Sequence, residues 1–148
     1  MILIPMDSMK HNPAVLLIDD NDTDNLISKR IIELSGFSNN IVIKNSGTAG
    51  LNFLRANESN SSLLPDLIFL DINMPVIDGF MFLFEYEKMA PTLVKAAKIV
   101  ILSSSDNQAE IERIIENAHV LKYVMKPLSQ PILHKVSHDY YTQFVKVA

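Results

Sequence analysis

The chain has 148 residues, 48% of them hydrophobic, and a formal net charge of −4. That length suits one compact domain with a full core and leaves little for a second. The acidic balance gives no electrostatic footprint for nucleic acid, the lack of cysteine removes disulfides and thiolate chemistry, and no apolar run approaches the ~20 residues that span a bilayer.

Met1-Ile2-Leu3-Ile4 is apolar, but Pro5 and Asp7 break it, so it is not read as a signal peptide. Residues 1–13 are expected to be a loosely ordered leader, with one domain over 14–148. Val15-Leu16-Leu17-Ile18 is continuously aliphatic, as a strand buried on both faces should be, and it ends in Asp19-Asp20. Ile27, Ile31 and Leu34 recur at helical spacing, and Ser35-Gly36 reads as a stop. Ile41-Val42-Ile43 is a second strand. Ser46 can cap a helix with Leu51 and Leu54 on one face, and Asn57-Glu58-Ser59-Asn60-Ser61-Ser62 reads as loop. Leu67-Ile68-Phe69-Leu70 is the third strand; it ends in Asp71-Ile72-Asn73-Met74-Pro75.

Asp78-Gly79 opens a third helix over about residues 80–88 that is apolar almost all round. A fourth strand covers 99–102. Ser105 and Gln108 have capping-box spacing before Ile111, Ile114, Ile115 and Ala118. Val120 to Met125 is the fifth strand and runs into Lys126-Pro127. Ser129 caps a last helix with Leu133, Val136 and Tyr140 on one face. Strands alternating with helices predict a parallel sheet covered on both faces. Right-handed crossovers then bring every strand's C-terminal end to one edge, where open parallel sheets bind their ligands.

Asp19, Asp20 and Asp71 are expected to meet at that edge. Three carboxylates with intrinsic pKa values near ~3.9 do not readily all ionise together without a cation. A hard divalent ion is the natural partner, and Mg2+ combines one or two carboxylates with waters and a phosphate. Zinc fits poorly, since cysteine is absent and no histidine lies near these strand ends. Beside such an ion Asp71 becomes a candidate nucleophile toward phosphorus. Lys126 supplies a point charge for a phosphoryl oxygen, and Ser103 a hydroxyl. Single residues here also have plain structural readings. Asp19 could cap the first helix; for Asp22 and Asp24, capping and pairing with the helix dipole is the better assignment. His134 and His138, four residues apart, lack an evident third ligand and read as a solvated face.

Taken together, Asp19-Asp20, Asp71-Ile72-Asn73-Met74-Pro75, Asp78-Gly79 and Lys126-Pro127 resemble the receiver domain of two-component response regulators, the CheY-like family. The resemblance covers roughly residues 14–148. It implies a flavodoxin-like (βα)5 doubly wound sheet with strand order 2-1-3-4-5. It also implies that Asp71 is the phosphoacceptor, and that Asp19, Asp20, Asp71 and the backbone carbonyl of Asn73 surround Mg2+, with Asp20 a direct ligand. Ser103 and Tyr123 are then the switch pair, Lys126 the family's lysine, and Lys126-Pro127 a cis peptide. Asn73 and Ser105 would flank the phosphoryl group. The implied partners are a histidine kinase or phosphotransfer protein, and a downstream protein on the face of helix 4, strand 5 and helix 5. The implied setting is cytoplasmic, away from nucleic acid and membrane, with a homodimer left open. With no effector segment in this sequence, a single-domain regulator or phosphorelay step is expected. The chain departs from the family at His119, at Leu121-Lys122 and at Ser104-Ser105.

Three other functions compete. An aspartate-nucleophile phosphatase needs a second acid two residues after Asp71, where this chain has Asn73. A flavodoxin-like cofactor binder needs a hydroxyl- and glycine-rich cradle after the first strand, where this chain has Asp19-Asp20-Asn21-Asp22. An adaptor that no longer uses phosphate would have no need of the acid set and Lys126.

Overall fold

The computed structural model describes residues 12–145. Its order is β1 (Val15–Ile18), α1 (Asp22–Leu34), β2 (Ile41–Lys44), α2 (Gly47–Ala56), β3 (Leu67–Leu70), α3 (Gly79–Met89), β4 (Lys98–Ser103), α4 (Gln108–Ile115), β5 (Val120–Met125) and α5 (Gln130–Val145), with a short 3-10 turn at Ala90–Thr92. The five strands form one parallel sheet in the order β2-β1-β3-β4-β5. This is the flavodoxin-like arrangement that the resemblance implies. Strand order reverses between β1 and β3, so a crevice opens outside their C-terminal ends.

The strands divide the core into two layers. Leu16, Ile18, Ile68 and Leu70 point to one face, where Leu51, Leu54, Phe82 and Tyr86 cover them. Val15, Leu17, Leu67 and Phe69 point to the other, under Ile32, Leu133, Val136 and Tyr140. Alternation along a strand with both faces apolar is the signature of a sheet sandwiched by helices. Residues 1–11 of the expected leader lie outside the described residues. Asn12 and Pro13 are tied to the turn before β2: the Ser38 hydroxyl donates to the Pro13 carbonyl at 2.6 Å and the Asn39 N–H to Asn12 Oδ1 at 2.9 Å.

Helix α2 follows the expected pattern, capped by Ser46, whose hydroxyl accepts from the Ala49 N–H at 3.0 Å. Helix α3 is capped by Asp78. Its all-round apolarity resolves into buried Phe82 and Leu83 and solvent-facing Met81 and Phe84, 51% and 60% exposed. Four expectations need correction. Helix α1 does not bury Ile27 and Leu34, which are 46% and 58% exposed; it buries Asn25, Ser28 and Ile32. Of the polar members of that face, Asn25 serves the end of β1, as described below. Its N-cap is Asn21, and neither Asp22 nor Asp24 caps it. Helix α4 is capped by Asn107, which accepts from the Glu110 N–H at 3.1 Å. Ser105 lies two residues earlier, its hydroxyl donating to Glu110 Oε2 at 2.9 Å and accepting from the Asn107 N–H at 3.3 Å. On α4 only Ile114 is fully buried, while Ile115 is 49% exposed and Ala118 lies beyond the helix.

Two family departures acquire contacts. The His119 ring packs edge-on against buried Tyr86, centroids 5.2 Å apart. Lys122 on β5 reaches Asp139 on α5 at 3.0 Å.

The loop between Asp71 and α3 carries backbone strain. Val76 has φ of 67° and is 90% exposed, and the Ile77 N–H donates to the Pro75 carbonyl at 2.8 Å. This is a three-residue γ-turn centred on a β-branched side chain, a conformation that costs on the order of 1–3 kcal/mol. Glycine would relieve it, at the cost of a more flexible unfolded chain. Val76→Gly is therefore expected to raise stability by about 1 kcal/mol, read from the urea midpoint at unchanged slope.

Candidate functional site

Strand register builds the site. Ile18 pairs with Leu70 across β1 and β3, so the next residues, Asp19 and Asp71, emerge side by side. The Asp71 N–H donates to the Ile18 carbonyl at 3.0 Å and continues the ladder to the carboxylate itself. On the other side, Ser103 pairs with Met125, and the Lys126 N–H donates to the Ser103 carbonyl at 2.8 Å. Four adjacent chain segments thus converge at one edge without a long loop between them.

Asp19 and Asp71 are buried, each 6% exposed, while Asp20 faces solvent. One carboxylate oxygen from each of the three lies within 4.8 Å of the others. The Lys126 ammonium sits among them. It donates to Asp19 Oδ2 at 2.6 Å, Asp24 Oδ2 at 2.9 Å and Asp71 Oδ2 at 3.4 Å. Burial pushes the Asp71 carboxyl up to about 6, and the neighbouring Asp19 charge adds to the rise. The Lys126 ammonium and the Asn73 N–H, which donates to Asp71 Oδ1 at 3.3 Å, only partly oppose it. Lys126 itself is raised: its bonds to Asp19 and Asp24 and the Asp71 charge together outweigh the effect of burial.

The first turn of α1 is built onto this cluster. The Asn21 N–H donates to Asp19 Oδ1 at 2.9 Å, the Asn21 side chain caps the helix by accepting from the Asp24 N–H, and the buried Asn25 amide donates to the Asp19 carbonyl at 2.8 Å. Asn25 and Asp24 were not singled out as site residues by the sequence. For Asp24 the spacing offered a clue, since it follows Asp20 by four residues, about one helical turn.

The donor set suits a hard cation. It is all carboxylate, with two members buried and one exposed, and no thiolate or imidazole belongs to it. That is oxygen ligation of the Mg2+ type, with room for water on the Asp20 side. Among the described residues it is the only such cluster, and exposed His134 and His138 gain no third ligand.

Ser103 is fully buried, its hydroxyl accepting from the Ser105 N–H at 3.2 Å. The Tyr123 hydroxyl donates to the Ser105 carbonyl. Ser105 therefore contacts both Ser103 and Tyr123 through its backbone. Asn73 is exposed at the mouth. The Lys126-Pro127 peptide is cis.

Gly79 holds the other wall in place. A Cβ there would lie 2.7 Å from Ile72 Cα and 3.1 Å from the Asp71 carbonyl, and the Gly79 N–H donates to the Ile72 carbonyl at 2.8 Å. Both obstacles are backbone, so neither can swing away. Gly79→Ala is expected to cost about 1–3 kcal/mol by overpacking, read by urea denaturation. It should also shift the amide resonances of Asp71 and Ile72.

The family model for the response regulator receiver domain matches residues 15–137. The chain belongs to that family. Among curated relatives, this receiver is 31% identical over 132 residues to response regulator Rcp1 of Synechocystis, covering 87% of this chain and 88% of that one. It is 30% identical over 128 residues to the chemotaxis protein CheY of Thermotoga maritima, covering 83% and 96%. Among solved structures, a two-component response regulator from Cytophaga hutchinsonii superimposes with a TM-score of 0.81 at 27% identity, covering 90% of this chain and 99% of that one. The receiver is thus a signalling module of two-component systems, with an acidic pocket at Asp19, Asp20 and Asp71. Among the described residues no helix is long and apolar enough to cross a membrane.

Proposed function

We propose that this receiver accepts a phosphoryl group on Asp71 and uses it to switch a protein-binding surface. The observation that carries the reading is a buried carboxylate placed among two further carboxylates and one ammonium at the sheet edge. Residues 14–148 act as the receiver unit. Asp19, Asp20, Asp71 and the Asn73 carbonyl are the residues that would hold Mg2+, which when bound neutralises charge on the transferring phosphoryl group.

The donor is the phosphohistidine of a histidine kinase or phosphotransfer protein. An Asp71 carboxylate oxygen attacks phosphorus, an acyl phosphate forms, and the P–N bond of the donor breaks, its nitrogen keeping the electron pair. Burial favours the protonated carboxyl of Asp71, and the charge of Lys126 opposes that, so the ammonium helps keep the nucleophile ionised. Lys126 then bonds one phosphoryl oxygen and Ser103 another. The Ser103 hydroxyl accepts from the Ser105 N–H and so keeps its own proton to give; a turn toward the phosphoryl group pulls on that contact. The Ser105 carbonyl also holds Tyr123, so a shift of this backbone repositions the switch tyrosine on the surface of α4, β5 and α5. A local charge event thereby biases a two-state element. The downstream protein docks on that face, in the cytoplasm; the reading needs neither nucleic acid nor membrane, and a homodimer through the same face is compatible with it.

Acetyl phosphate with Mg2+, followed by intact mass, tests this reading. A gain of one phosphoryl group that EDTA prevents is expected. No gain with any small phosphodonor or with a phosphorylated histidine protein would overturn it.

A further inference from the structure

Lys126 divides its three ammonium N–H groups unequally among three carboxylates. Its closest contacts are Asp19 at 2.6 Å and Asp24 at 2.9 Å, and Asp71 is the farthest at 3.4 Å. Asp19 and Asp71 belong to the carboxylate cluster, but Asp24 does not. It stands on the first turn of α1, its N–H fixed by the cap residue Asn21 at 3.0 Å, and its side chain is 37% exposed against 8% for Asp71. The sequence favoured a plain helix-dipole role for Asp24; the geometry gives it a specific cationic partner 102 residues away.

We propose that Asp24 is a positioning residue that seats Lys126 at the rim of the acidic pocket and so limits the lysine's hold on the oxygens of Asp19 and Asp71. It rests on the reading of that pocket as a cation site. An ammonium and a divalent cation compete for the same carboxylate oxygens. With Asp24 present, part of the lysine's hydrogen bonding is satisfied outside the pocket. Without it, Lys126 falls back on Asp19 and Asp71 and opposes the metal more strongly. Asp22 is the internal comparison: it has the same charge, lies on the same helical turn and is exposed.

The test is a Mg2+ titration of the full chain, without any phosphodonor, by calorimetry. Asp24→Asn and Asp22→Asn are compared in the wild-type and Lys126→Met backgrounds, with folding checked by circular dichroism. Asp24→Asn should weaken Mg2+ about three- to fivefold, the scale of one partly exposed ion pair. Asp22→Asn should change it by less than about twofold, since screened surface charge acts weakly. In the Lys126→Met background the Asp24→Asn effect should vanish. Equal effects of the two substitutions, or an Asp24→Asn effect that persists without the lysine, would overturn the proposal and leave Asp24 as diffuse negative charge. If Lys126→Met does not fold, the Lys126 side-chain ammonium resonance in 15N-lysine protein replaces the cycle. It should move on Asp24→Asn and stay on Asp22→Asn, and the reverse would sink the idea. Failure of wild-type protein to bind Mg2+ at all would instead refute the cation-site reading, independently of Asp24.

Discussion

Asp71→Asn is expected to make the metal-free protein more stable at pH 7.5 while abolishing phosphoryl uptake. The folded carboxyl has a pKa of about 6 against an ordinary 3.8. A raised acid binds its proton more tightly in the folded state. Its contribution to stability is therefore complete below pH ~4 and is lost as pH rises through 6. Above that, the chain keeps a buried charge that burial and Asp19 both disfavour. Each pKa unit is worth about 1.4 kcal/mol, and with partial solvent relief the gain on neutralising Asp71 is about 2 kcal/mol. Asparagine keeps the volume and an oxygen for the Asn73 N–H. Thermal unfolding in EDTA should show the variant more stable at pH 7.5 and equal to wild type near pH 4. A variant equal or less stable at pH 7.5 would show that Lys126 already compensates the charge.

Lys126→Met should do the opposite to stability and strengthen metal binding. The ammonium touches three carboxylates, two of them with side chains 8% exposed. Removing one partner of a buried charge pair typically costs about 3–5 kcal/mol, because the other charge is left uncompensated. Here Asp24 is partly solvated, and a loss of about 2–3 kcal/mol in metal-free buffer is expected. Millimolar Mg2+ should restore most of it, since any ligand that binds only the folded state stabilises it. The same variant should bind Mg2+ about tenfold more tightly, a competing cation having gone. Urea denaturation with and without Mg2+ reads both effects. Equal losses in the two conditions would mean that the lysine packs its stem more than it serves the acids.

Much of this was legible in the sequence because β1 and β3 are apolar on both faces and then stop abruptly at charge. Val15–Ile18 before Asp19, and Leu67–Leu70 before Asp71, mark strand ends as well as strands, and parallel register then forces the carboxylates together. The helix caps at Ser46 and Asp78 were equally plain. What the sequence hid was competition among like residues. Asn21, Asp22 and Asp24 can all cap a helix, and only the three-dimensional position of Lys126 assigns Asp24 elsewhere. Apolar periodicity misled on α1, since the face against the sheet edge holds polar Asn25 and Ser28 beside Ile32. Asn25 is buried there to bond the Asp19 carbonyl, so Ile27 and Leu34 turn outward. On α4 the sequence pointed to Ser105, two residues before the residue that caps the helix. Ser105 is drawn to Glu110 and its carbonyl to Tyr123, which leaves the cap to Asn107.

The most direct test of the phosphoacceptor assignment is chemical trapping. Protein treated with acetyl phosphate and Mg2+ is reduced with borohydride, which converts an acyl phosphate to an alcohol, and the peptides are then mapped by mass. Homoserine at position 71, and at no other aspartate, is the predicted result. Homoserine at Asp19, Asp20 or Asp24, or unmodified Asp71 in protein that has gained a phosphoryl group, would contradict it.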